Sequence, residues 1–216
     1  MPPYAAFVTA LAQRLQQPLP GQAAQFTMAP LRRQDPVMAS VEHKRCREAG
    51  VLVLLYPADD DTPYLVLTVR RADLRDHAGQ VSFPGGQREG DETLEATALR
   101  EAEEEVAFMA DEDFAMRGPL TPLYIPVSRF CVHPFVGVTA TAPRLFPADA
   151  EVAEILHIPL ALLLNPTTRQ SELRVLHGHP VDVPFFAIAG HKVWGATAMM
   201  LAEFATVCEE ALALVA

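Results

Sequence analysis

Residues 81–108 read, in order, as a short strand (Val81, Ser82, Phe83), a glycine turn (Pro84, Gly85, Gly86) and a glutamate-rich helix. The helix is expected from about 92 to 106, with Asp91 as its N-cap. Glu101, Glu104 and Glu105 then stand at i, i+3 and i+4, which puts three carboxylates on one helix face. Like charges at that spacing cost stability. A solvated acidic face is the ordinary reading of such a run. The alternative is that hard divalent cations sit between the carboxylates, since Mg²⁺ takes oxygen ligands and is held by a few carboxylates together with substrate phosphates.

The rest of the chain limits the partners. With 216 residues and a net charge of −10, it suits one domain with a sizeable core and lacks the basic stripe a nucleic-acid binder needs. An acidic protein that handles an acidic substrate needs metal ions or a local cluster of arginines. The densest basic cluster near the acidic helix is Arg70, Arg71 and Arg75, with His77. Guanidinium forks make charged, bidentate contacts to phosphate; the ordinary alternative is that loop arginines are solvated or pair with Asp73 and Asp76. Cys46, Cys131 and Cys208 are odd in number, far apart and without a CxxC pair. That argues against a disulfide framework or a zinc site and fits a reducing, cytoplasmic compartment. Cys131 reads as a buried, inert thiol. The first residues lack the basic start and apolar run of a secretory signal. Residues 196–216 are apolar but broken by Glu203, Glu209 and Glu210, so they read as a buried helix and not a membrane span.

Phe7, Leu11 and Leu15 predict a short amphipathic helix, followed by an irregular wrapping arm to residue 45. Residues 51–55 and 64–69 predict a hairpin, the first strand apolar enough to be buried on both faces. Residues 120–140 give two more strands, 158–164 a short helix, and 173–176 with 181–187 a second hairpin. His177 and His179 sit on its turn and read as exposed. Trp194 and Phe83 read as core. Interleaved strands and helices with antiparallel hairpins predict one α/β domain over 1–216, a mixed sheet sandwiched between helical layers (α/β/α).

Beyond this, Gly86, Glu92, Arg100, Glu101, Ala102, Glu104 and Glu105 fall at the spacing G-x5-E-x7-R-E-U-x-E-E-x-G-U. Residues 86–108 therefore resemble the Nudix box, with Ala107 where the family has glycine. Upstream, Leu67, Thr68, Arg70, Arg75, Gly79, Phe83, Pro84, Gly85 and Gly86 are similar to the signature of the coenzyme A diphosphatase branch. Val66 replaces a leucine there, and Arg71 stands where that pattern has Ser or Ala. Residues 151–155 and 193–198 resemble further branch features.

The resemblance implies a Nudix fold and hydrolysis of a phosphoanhydride by water with Mg²⁺ or Mn²⁺. Glu101, Glu104, Glu105 and the Gly86 carbonyl would hold the metals, and Arg100, joined by Glu92, would orient the carboxylates. Arg70, Arg71, Arg75 and His77 would bind substrate. The general base would be Glu101 first, with Glu151 and Glu154 as loop alternatives. The expected reaction splits coenzyme A into 3′,5′-ADP and 4′-phosphopantetheine. The alternatives are another nucleoside diphosphate derivative (ADP-ribose, a dinucleoside polyphosphate or an oxidised nucleotide) and a non-catalytic Nudix-fold binding module. A small-molecule substrate is the expected partner, with neither nucleic acid nor membrane. The apolar C-terminal helix would allow a homodimer.

Overall fold

The computed structural model describes residues 1–73, 79–176 and 178–215. Its centre is β1 (Arg47–Pro57), a strand buried without a break from Ala49 to Tyr56. Burial on both faces follows from the layers above and below it. Val51, Val53 and Leu55 point into a cluster with Phe7, Leu11, Leu201 and Phe204. Leu52, Leu54 and Tyr56 point the other way, onto Ala98, Ala102, Val106 and Phe108. The first cluster is built by helices α1 (Tyr4–Leu15) and α6 (Gly195–Ala213), and the second by α4 (Leu94–Val106). This is the expected α/β/α arrangement.

Around β1 run β2 (Pro63–Arg70), β3 (Val81–Ser82), β4 (Gly85–Gln87), β5 (Phe114–Pro119), β6 (Leu123–Ile125), β7 (Phe130–Thr139) and β8 (Val152–Pro159). The main path is β3-β2-β1-β7-β5, with β4 also on β1, β6 on β7 and β8 on β2. The β1–β7 pair is parallel and the other pairs are antiparallel, so the sheet is mixed. A second sheet of β9 (Arg169–Leu176), β10 (His179–Ile188) and β11 (His191–Trp194) extends the second expected hairpin by one strand.

The segment after α1 is not irregular. It contains α2 (Gly21–Gln25), α3 (Pro36–Ala39) and 3₁₀ turns at Phe26–Met28 and Leu31–Arg33. These pieces are too short to show a period. α3 is set by its cap: Asp35 accepts from the Val37 and Met38 amides, and Pro36 takes the first position, where its missing N–H costs nothing. The predicted helix at 158–164 is shorter, α5 (Leu160–Leu164), because Ile158 and Pro159 end β8.

One expectation about the cysteines is overturned. Cys46 and Cys131 form a disulfide, leaving only Cys208 free and buried. The parallel register pairs Arg47 with Phe130 and Glu48 with Cys131, which brings residues 85 apart in sequence to a Cα separation of 5.7 Å, well within disulfide reach. Cys131 is therefore not an inert thiol, and spacing along the chain could not reveal the pairing. The apolar α6 is packed against α1, α2 and the sheet. Among the described residues no helix is long and apolar enough to cross a membrane.

Candidate active site

The acidic helix is α4, and it begins two residues later than expected. Thr93, not Asp91, caps it, its hydroxyl accepting from the Ala96 amide at 3.1 Å. Glu92 takes another task. Its carboxylate accepts from the Glu89 amide at 2.9 Å and the Thr97 hydroxyl at 3.0 Å, and pairs with Arg100 at 3.0 Å. The Arg100 contact, more than any other, holds the Glu92 carboxyl down at about 2. Arg100 also reaches Glu101 at 3.0 Å, Glu104 at 3.1 Å and the Gln87 carbonyl at 3.1 Å. One guanidinium thus ties the helix face to the end of the glycine turn.

That turn is pressed against α4 and β1. A Cβ on Gly86 would lie 2.4 Å from the Glu101 carboxylate, and one on Gly85 would lie 2.5 Å from the Gly50 carbonyl. Only glycine lets the backbone approach the carboxylates so closely. Gly50 makes the matching concession under the helix, where a Cβ would stand 2.2 Å from the Leu94 carbonyl.

The three carboxylates differ in environment although they share a helix. Glu105 is buried at 8% exposure and accepts from the Gly85 amide at 3.2 Å. Burial, reinforced by nearby Glu101 and Glu151, raises its carboxyl to about 7. Glu101 is half-buried and also raised, chiefly by burial. Glu104 is largely exposed, with its carboxylate on Arg100. Desolvated, crowded carboxylates are what a hard cation relieves. Among the described residues no three acidic, imidazole or thiol groups converge into a closed cage. The set instead fits an open site, in which carboxylate oxygens supply part of a Mg²⁺ or Mn²⁺ shell and water and phosphate supply the rest.

The other expected residues separate. Arg70, at the end of β2, reaches Glu151 at 3.4 Å, which places both beside Glu101 and Glu105. Arg71 turns away, its fork held by Asp73 at 2.9 and 2.8 Å and by the Asp149 carbonyl at 2.8 Å. Glu154 is not in a loop; it lies in β8 and pairs with His191 of β11 at 3.3 Å. Arg75 and His77 lie outside the described residues, as does His177.

A cavity of about 410 Å³ opens beside Glu105. Gly85, Gly86, Ser82, Arg70 and Glu105 border it at the acidic end, Ile125, Phe130 and Met200 give it apolar walls, and Arg33 also reaches it. Trp194 lines it as well and carries the Arg174 guanidinium 4.5 Å from its ring centre, so it is not a core residue. Phe83 does have the expected core position, at 1% exposure. The opening turn of α6 is fastened to the strand before the glycine turn by a buried bond from the Thr197 hydroxyl to the Val81 carbonyl, 3.0 Å. Arg33, Phe130 and Met200 carried no signal in the sequence, because sheet pairing and the arm bring them together from distant positions.

A mixed sheet between helices with this glycine turn and acidic helix defines a Nudix domain, and the NUDIX domain model matches residues 47–177. The chain belongs to that family. It is 42% identical over 164 residues, covering 74% of this chain and 81% of the relative, to an uncharacterized Nudix hydrolase NudL of Pectobacterium atrosepticum. It is 38% identical over 144 residues, 66% of this chain and 76% of the relative, to the NudL protein of Photorhabdus laumondii. A MutT/nudix family protein from Enterococcus faecalis superposes with a TM-score of 0.50 at 16% identity, over 78% of this chain and 64% of that one, a likeness of fold alone.

Proposed function

We propose that this Nudix hydrolase cleaves the pyrophosphate of coenzyme A or its derivatives, giving 3′,5′-ADP and 4′-phosphopantetheine. The observation that carries this reading is one shared cavity: Arg70, from the arginine segment that resembles the coenzyme A diphosphatase signature, borders the same 410 Å³ space as Glu105 and the glycine turn. Its apolar walls suit the uncharged parts of a large substrate, while the acidic end suits metal-bound phosphates.

Glu101, Glu104, Glu105 and the Gly86 carbonyl would hold Mg²⁺ or Mn²⁺, which when bound acidifies water and neutralises phosphoryl charge. Arg100 keeps Glu101 and Glu104 fixed in direction. Arg70 steers and orients the pyrophosphate from the opposite side of the acidic face. Glu101 serves as the base that takes the proton of the attacking water, with Glu151 as the alternative, since Glu154 is spent on His191.

The test is a panel of coenzyme A and ADP-ribose with Mg²⁺ and with Mn²⁺. We expect turnover of coenzyme A and at least about tenfold less of ADP-ribose, a difference of about 1.4 kcal/mol in transition-state binding. Glu105→Gln should lower kcat by more than about 100-fold, beyond the range for outer-shell partners of a metal. Preference for ADP-ribose would replace the substrate; Glu105→Gln at wild-type rate would remove the acidic face from the chemistry.

A further inference from the structure

Arg33 belongs to the N-terminal arm, ahead of the segment that matches the family model. Its backbone is fixed: its amide donates to the Pro30 carbonyl at 2.7 Å, and the Gln34 side chain donates to the Phe26 and Ala29 carbonyls at 3.0 and 2.9 Å. Gln25 anchors the same arm to Glu203 and the Thr121 carbonyl, each at 2.9 Å. The arm thus delivers a guanidinium to the cavity beside Glu105 and holds it there.

That guanidinium is poorly satisfied. It has five N–H donors, yet among the described residues it makes one long bond, 3.5 Å, from Nη2 to the Tyr124 carbonyl. Among the described residues it pairs with no carboxylate, in a chain with ten more acidic than basic charges. Burial lowers its affinity for the proton. A partly buried cation without a counter-charge is costly unless an anion arrives.

The sheet register sets the strand this cation touches apart from the acidic end. Tyr124 is in β6, and the row Leu123–Val132–Ala49–Gln87 runs from β6 through β7 and β1 to β4, where the glycine turn ends. Three strand spacings make roughly 14 Å. A pyrophosphate seated on the acidic face does not bridge three strands, so an anion at the Tyr124 end of the cavity would be a separate group.

We propose that Arg33 is a specificity residue that binds a phosphate monoester of the substrate distinct from the scissile pyrophosphate, so that the cavity selects nucleotides bearing both. This rests on the coenzyme A reading, where the 3′-phosphate of the ribose is such a group and the pantetheine arm carries none. Arg33→Gln and Arg33→Lys are the variants, with melting curves confirming that each is folded. Direct binding of 3′,5′-ADP and of AMP gives a readout that needs no turnover. Wild type should bind 3′,5′-ADP at least about tenfold more tightly than AMP, Arg33→Gln should bring the two within about twofold, and Arg33→Lys should fall between. With turnover, Arg33→Gln should raise KM for coenzyme A about tenfold with kcat little changed, and leave dephospho-coenzyme A unaffected. An unchanged preference for 3′,5′-ADP in Arg33→Gln, or none in wild type, overturns the assignment. Should wild type prefer 3′,5′-ADP through Arg33 yet leave coenzyme A intact, the subsite stands and the proposed reaction fails.

Discussion

Ala107 shows what one residue can cost. It ends α4 in the left-handed region, at φ 55 and ψ 30, where the Nudix pattern has glycine. Its amide closes on the Glu103 carbonyl at 3.0 Å and the Phe108 amide on the Ala102 carbonyl at 3.1 Å, which drops Phe108 into the core. The turn is made despite the Cβ, and a left-handed alanine carries about 1–2 kcal/mol of strain. Glycine relieves that strain but loses more chain entropy on folding, so Ala107→Gly should stabilise the protein by a net of about 0.5–1 kcal/mol. Urea titration reads this directly, and a variant no more stable than wild type would show that the alanine is unstrained. The carboxylates just before Ala107 were legible in the sequence because helix spacing is local: residues three and four apart must neighbour one another. Arg33 was not, since its partner surface on β6 lies some ninety residues away along the chain. Arg71 was open in the sequence between a phosphate and its aspartate neighbours. A sequence pattern shows that an arginine is present, and only packing shows that Asp73 and the Asp149 carbonyl have already occupied its fork.

Elements were legible where their periods were long. β1 and α4 declare themselves, whereas β8 does not: its sequence, VAEILHIP, spaces apolar residues in a way that suits a helix as well as a strand, and pairing with β2 decides the matter. That decision also sends Glu154 toward His191 and away from Glu101. The β1–β7 pair is the strongest case of a non-local contact, because a parallel crossover cannot be read from turn chemistry. The Cys46–Cys131 bond locks that pair at one end. It closes a loop of about 85 residues, and removing such a link costs about 2–4 kcal/mol through the freedom restored to the unfolded chain. Cys46→Ser, or wild type melted with reductant, should therefore lose about that much stability by denaturant titration. Ala49, Phe130 and Val132 line the cavity beside that end, so the reduced protein should also show a higher KM. Identical melts with and without reductant would mean that the thiols are unpaired in solution.

Across the whole molecule, the site is held at the expense of stability. Glu105 is buried against the glycine turn, and its carboxyl is raised from the ordinary 4.5 to about 7, mainly by burial. Glu203, fully buried under the arm, is raised for the same reason. For an acid raised on folding, the native state binds more protons than the unfolded chain in the interval between the two values. Its contribution is fully present below about 4.5 and declines as pH climbs through about 7, beyond which it no longer changes. In chelator, then, the protein should melt at a lower temperature at pH 8 than at pH 5. Glu105→Gln removes this titration while keeping the side chain's size, so the metal-free variant should be more stable than wild type at pH 8 by a few kcal/mol at most and nearly equal to it at pH 5. Mn²⁺ should reverse the order at pH 8, because a ligand that binds the native carboxylate stabilises only the protein that still has one. A wild-type and variant pair whose melting temperatures differ equally at both pH values, or in which Mn²⁺ raises the two alike, would separate Glu105 from both the proton and the metal. The reverse result would show why an acidic face with no closed cage persists: the same desolvation that weakens the empty fold is what makes it bind a cation.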